Sequence, residues 1–164
     1  MKKCEQAIAR ELNGEYIEAV KLYEAQLRDA SNIPIDVYIN LAFLYWEFAA
    51  EEIEFNDPND IPGKWSTIGG KRYPEIIKLG LKEYPRSVEL HFWRKYFPHR
   101  LFFDDFSQRE CEQLVEKYGD KESLVPYFFL YLFDNEKYKK KRDGLCKDCR
   151  KLATAKNLYI LGFC

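Results

Sequence analysis

Threonine and valine are scarce in this chain, methionine occurs once and histidine twice. The shortage of β-branched residues, beside abundant Leu, Glu, Lys and Ala, argues against a strand-rich fold and for helix. No apolar run approaches the roughly 20 residues that span a bilayer. The start, Met1-Lys2-Lys3-Cys4-Glu5, sets a basic pair before no apolar stretch, unlike a secretory leader. The expected location is the cytoplasm, and no membrane partner is expected. A net charge of −1 gives no overall attraction to nucleic acid or anionic lipid. His91 and His99 do not form a His-Glu-x-x-His pair, and no serine stands in a nucleophile-elbow pattern. His91, beside Phe92 and Trp93, reads as a surface or half-buried residue rather than a catalytic base. No catalytic set is expected.

What the chain does contain is apolar and aromatic mass. Hydrophobic residues make up 46% and aromatics 16% of 164 residues, which excludes disorder and is enough for one domain with its own core. The apolar spacing predicts helices over most of the length. The first covers about Lys2 to Asn13 and stops at Gly14. The second covers Glu15 to Asp29, with Tyr16, Ala19, Val20, Tyr23 and Leu27 in one stripe. A glycine turn between them makes an antiparallel hairpin. Ile35 to Phe55 is the most hydrophobic segment, apolar on two rows, and should centre the core. Its end turns acidic at Glu47, Glu51, Glu52 and Glu54, where carboxylates oppose the helix dipole.

The stretch from Asn56 to Gly70, rich in Asp, Asn, Pro and Gly, reads as a long inserted loop. Further helices are expected over Tyr73–Tyr84, Ser87–Phe97, from Ser107 to Tyr118, and over Ser123–Phe133. Ser107 with Glu110 matches a capping box. A basic helix from Asn135 to about Lys151, interrupted near Gly144, comes last. The apolar tail Asn157–Cys164 is expected to pack on that helix as a cap or to meet a partner.

Tyr45, Tyr96 and Tyr131 lie 51 and 35 residues apart at matching points of three aromatic segments. The second interval is near the roughly 34-residue period of tetratricopeptide arrays. Gly14-Glu15-Tyr16-Ile17-Glu18-Ala19-Val20-Lys21-Leu22-Tyr23-Glu24 resembles the turn and second helix of such a repeat. Tyr38 to Tyr45, with Leu41-Ala42 where leucine and glycine are usual, resembles the first helix of the next, and Pro85 stands at the closing-proline position. The specific match covers about residues 14–45. The resemblance implies an all-α, right-handed stack of antiparallel helix pairs, about seven or eight helices and a C-terminal cap, acting as a protein-binding adaptor.

Other motifs carry less. Asp57, Asn59 and Asp60 lack the glycine placement and final glutamate of a calcium loop. Gly69-Gly70 before Lys71 lacks phosphate-loop spacing. Asp104-Asp105 reads as a solvated linker. Five cysteines, Cys4, Cys111, Cys146, Cys149 and Cys164, read most simply as free thiols. Cys146-Lys147-Asp148-Cys149 places two sulfurs on one helix face, which leaves a metal-binding or redox-active protein as one alternative function. The basic run Lys137–Arg142 leaves an RNA-binding accessory as another, although aromatic interleaving is confined to Tyr138.

The expected function is therefore a cytoplasmic, non-catalytic interaction module without cofactor or metal. Tyr38, Tyr45 and Trp65 are the candidate aromatic anchors. Glu47, Glu51, Glu52, Asp57 and Asp60 are the candidate charges for steering a basic protein partner. By analogy of size and style, that partner is a toxin and this chain a bacterial immunity protein.

Overall fold

Gly14 adopts φ of +74°, a left-handed turn that glycine takes without a Cβ clash, and it folds α1 (Lys3–Leu12) back on α2 (Tyr16–Asp29). The computed structural model describes the chain from Lys3 to Cys164. Lys2, the expected start of the first helix, lies outside the described residues. The described residues are helical, with no strand among them. They divide into two compact units: one runs through Gly80 and takes in Ala153–Lys156, the other is Leu81–Leu152 with Asn157–Cys164.

In the first unit α3 (Ile35–Ala50) is buried on nearly every side, from Val37 to Phe48. It is thus the centre of that unit's core, as its two apolar rows imply. Ala19 and Ala42 are fully buried, small residues beside the buried rings of Tyr16, Tyr23, Tyr38 and Tyr45. Helix α3 stops at Glu51, and the chain widens into a π-helical turn, Glu52–Asn56. The expected loop over residues 56–70 is shorter than the sequence implies, because α4 (Lys64–Glu83) already includes Gly69 and Gly70. Gly69 marks a close approach and not a turn: a Cβ there would overlap the Tyr45 carbonyl oxygen.

The second unit is built on α5 (Val88–Phe102), whose Phe92, Trp93, Tyr96 and Phe97 are buried. Pro98 does not end this helix, which continues to Phe102 and is closed by Phe103 in the left-handed region at φ 60°. Ser107 caps α6 (Gln108–Tyr118), and the capping box with Glu110 is present on both sides. Helix α7 is only Pro126–Leu130, shorter than the expected Ser123–Phe133. Helix α8 (Asn135–Cys149) runs through Gly144 without interruption. The tail forms α9 (Ala155–Leu161). Its Tyr159 shares a 2.5 Å hydrogen bond with Tyr96, and Phe163 packs 5.1 Å from Phe128.

The three spaced tyrosines differ in setting. Tyr45 and Tyr96 are buried, with hydroxyl partners Glu24 and Tyr159, whereas Tyr131 is half-buried in the turn after α7 with the Arg142 guanidinium 3.9 Å over its ring.

Candidate functional site

The end of α3 is rich in carboxylates and has no cation in its last turn, and the helix gives way there to a wider turn. Glu51 leaves helical geometry, with φ −121° and ψ 59°. Asn56 N and Asp57 N then donate to Glu51 O and Glu52 O, five residues back, at 3.0 and 2.9 Å. The wider turn lets two consecutive residues face inward. Phe55 packs 4.7 Å from Tyr16 and 6.1 Å from Phe48, and the Asn56 side chain donates to Phe48 O at 2.7 Å. π-turns of this kind recur at functional positions.

The consequence falls on Ile53. Had the α-helix continued, the row Tyr38, Ala42, Tyr45, Ala49 would bring Ile53 inward four residues on. Beyond the break at Glu51 it lies outward instead, 80% exposed between Glu52 and Glu54. Ala49 to Glu54 line a surface concavity of about 510 Å³. Glu52, Glu54, Asp57 and Asp60 are exposed. The ion pairs described in this unit, Arg10–Glu15, Lys21–Glu18 and Arg72 with Glu24 and Glu75, take in none of them. The local field is accordingly negative, reinforced by the C-terminal end of α3.

The structure sorts the sequence-derived candidates. Glu52, Asp57 and Asp60 are exposed, and Glu51 is half-buried at the edge of the concavity. Trp65 is also half-buried and spends one face on Phe48, 5.8 Å away. Tyr38 and Tyr45 are corrected: each is 4% exposed, and both belong to the core. Tyr45 Oη donates to Glu24 Oε1 at 2.7 Å, and Arg72 Nε donates to the same oxygen at 2.8 Å. Burial alone would raise Glu24, but the hydrogen bonds from Arg72 and Tyr45 and the Arg72 charge hold its carboxyl below the usual range.

Glu47 is corrected too. It is 6% exposed, and its Oε2 has no hydrogen-bond partner among the described residues. Burial, with Glu51 and Glu11 adding repulsion, pushes its carboxyl well above the usual range, and a side chain this buried offers no surface charge for steering. Glu11 is buried as well, but it is satisfied: Tyr23 Oη donates to it at 2.5 Å and Ala155 N at 3.0 Å. Ile53 and Glu54 are the residues sequence reasoning missed as site members, because the shift from α to π geometry carries no compositional signature.

No family model, characterised protein or solved structure matched the chain in comparison. The remaining motifs must be judged on their own geometry. The basic run of α8 is largely engaged within its own unit: Lys139 with Asp143 at 2.6 Å, Lys141 with Asp120 at 2.7 Å, Lys137 with Glu112 at 3.6 Å. Arg142 meets Asp143 at 3.1 Å and donates to Phe163 O at 3.1 Å. Five free thiols are not what the fold contains. Cys146 is disulfide-bonded to Cys164, their Cα atoms 6.1 Å apart, within the range a disulfide spans. Cys4, Cys111 and Cys149 remain reduced. Among the described residues, no three His, Cys, Asp or Glu side chains are grouped to hold a metal ion, and no helix is long and apolar enough to cross a membrane.

Proposed function

We propose that this chain is a non-catalytic protein-binding module, a tetratricopeptide-like adaptor that offers the acidic π-turn after α3 to a basic protein. The observation that carries this reading is Ile53, an apolar side chain 80% exposed in the midst of carboxylates. An isolated exposed isoleucine is unremarkable. Here the backbone departs from α-helix in the turn that turns it outward, and carboxylates surround it. An apolar anchor inside a charged ring is the arrangement of interfaces in which one desolvated side chain supplies affinity and the rim supplies steering.

The α1–α2 hairpin supports the tetratricopeptide-like reading, since the left-handed Gly14, the fully buried Ala19 and the flanking buried Tyr16 and Tyr23 occupy the roles that motif gives them. An immunity protein that covers the basic active site of a toxin is the biological form this chemistry fits. The self-paired cations of α8 favour this reading over an RNA-binding accessory, because they leave less uncompensated positive charge for a phosphate backbone. The test is partner capture with Ile53→Asp and Glu52→Lys/Glu54→Lys variants. The reading expects a partner retained by the parent chain, weakened by salt and lost from both variants; retention by both rules the surface out.

A further inference from the structure

Phe103 closes α5 in the left-handed region, at φ 60° and ψ 27°. Glycine is usual at such a cap, and a bulky L-residue there is strained. The turn is nonetheless firmly held. Phe103 N and Asp104 N both donate to Pro98 O, and His99 Nδ1 donates to Asp104 O at 2.7 Å. The ring so placed does not fold back on the core: Phe103 is 89% exposed, and Phe102 beside it 63%. His99 connects this turn to further rings, 5.7 Å from Phe129 and 6.2 Å from Phe106, which stack at 4.9 Å as a buried floor. Phe133 packs 5.1 Å from Phe129, and it and Leu132 are each about half exposed. The exposed parts of Phe102, Phe103, Leu132 and Phe133 amount to about 500 Å² at ordinary side-chain areas, a size at which an apolar patch is often functional.

The charges beside these rings are of both signs. Asp104 and Asp105 follow Phe103 directly, and Arg109 stands in the first turn of α6. All three are exposed, and none enters the ion pairs described in this unit. We propose that this face joins two copies of the chain about a two-fold axis, with Phe102, Phe103, Leu132 and Phe133 of each copy set against the same residues of the other.

A two-fold contact uses the same patch on both copies. It removes about 1,000 Å² of apolar surface before its rim is counted, the area at which a specific interface begins. The rim charges favour a second copy over a partner of one sign. Asp104 and Asp105 repel an acidic partner and Arg109 repels a basic one, whereas a half-turn brings the carboxylates of each copy to Arg109 of the other. The strained cap also gains a role, because it aims the Phe103 ring out of its own unit and into the partner copy. All these residues belong to the second unit, and Ile53 with its carboxylates to the first, so association and partner capture are tested apart.

Sedimentation equilibrium of the purified full chain reads the association. Its mass should rise with concentration from one copy to two, and Ile53→Asp should leave that rise unchanged. Phe103→Asp/Phe133→Asp should raise the dissociation constant by about tenfold or more, as loss of central anchors does. A second variant guards against loss of fold. Phe103→Gly relieves the left-handed cap, so it should raise the urea midpoint of the dilute monomer and still weaken association. Charge exchange identifies the partner as a second copy. Arg109→Asp and Asp104→Arg/Asp105→Arg should each stay single where the parent pairs, and their equimolar mixture should recover the mass of two. A single-copy mass at every concentration up to about 0.1 mM leaves the face to a different protein and overturns the proposal. So does a mass that climbs past two copies, association indifferent to Phe103→Gly, or failure of the mixed charge variants to pair.

Discussion

Gly69 of α4 lies against the backbone of Tyr45, so close that any Cβ would overlap the Tyr45 carbonyl oxygen and lie 3.3 Å from Phe48 Cβ. Its neighbour Gly70 is different, since a Cβ there would meet Ala49 Cβ at 3.7 Å, ordinary contact. Both are helical and neither has a left-handed φ. One is required by packing and the other is not.

Two alanine substitutions one residue apart should therefore move stability in opposite directions. Gly69→Ala should destabilise by about 2–3 kcal/mol, the scale of overpacking a tight contact. Gly70→Ala should stabilise by roughly 0.5–1 kcal/mol through helix propensity. Urea denaturation of the two variants, compared at constant m-value, checks both.

Glu47 sets a dependence at the alkaline side. Its folded carboxyl holds a proton more tightly than the unfolded one, because burial and then Glu51 and Glu11 disfavour its charge. Its contribution is complete below the ordinary carboxylate range and is lost as pH rises through the elevated folded value. Glu47→Gln keeps the shape without the ionisation. It should flatten the fall in stability with rising pH and exceed the parent in mildly alkaline buffer. Thermal melts across a pH series check the slope. Glu11, also raised by burial first, remains in the variant and leaves a residual dependence.

Glu24 acts with the opposite sign. Arg72 and Tyr45 outweigh burial and hold it below the usual range, so its contribution is present above that range and is lost as pH falls through the depressed value. The Arg72 side chain is 31% exposed, which screens the pair. Glu24→Gln should cost about 1–2 kcal/mol near neutrality. The difference from the parent should vanish in acid, as denaturation at paired pH values will show.

How much of this was written in the sequence depends on which force placed each residue. The hairpin at Gly14 and the buried row from Val37 to Phe48 were legible, because periodicity and a lone turn glycine report them directly. The capping box at Ser107 was legible for the same local reason. Gly69-Gly70 was misread as loop, since composition cannot tell a turn glycine from one that admits a neighbouring backbone. The helix expected to end at Phe97 runs on through Pro98 to Phe102. At the candidate site, the exposed Glu52, Asp57 and Asp60 were legible as charge. Tyr38, Tyr45 and Glu47 were not separable from them, since amphipathic spacing marks a face without saying whether a second layer covers it. Ile53 was hidden by the π-turn, and the Cys146–Cys164 bond by an 18-residue separation that no motif encodes.

The acidic turn makes its own prediction about binding. Glu52→Lys/Glu54→Lys should slow association and reduce its salt dependence, while Ile53→Asp should act mainly on dissociation, since steering resides in charge and retention in the desolvated anchor. Surface-based kinetics with the captured partner separates the two effects.

The most direct measurement places a photoreactive benzoylphenylalanine at position 53 of the chain in its native cells, with the same probe at Leu158 as a control on another exposed apolar position. A discrete protein adduct from position 53, absent at position 158 and abolished by Glu52→Lys/Glu54→Lys, is the predicted result. No adduct at position 53, or one indifferent to those charge reversals, would contradict the account.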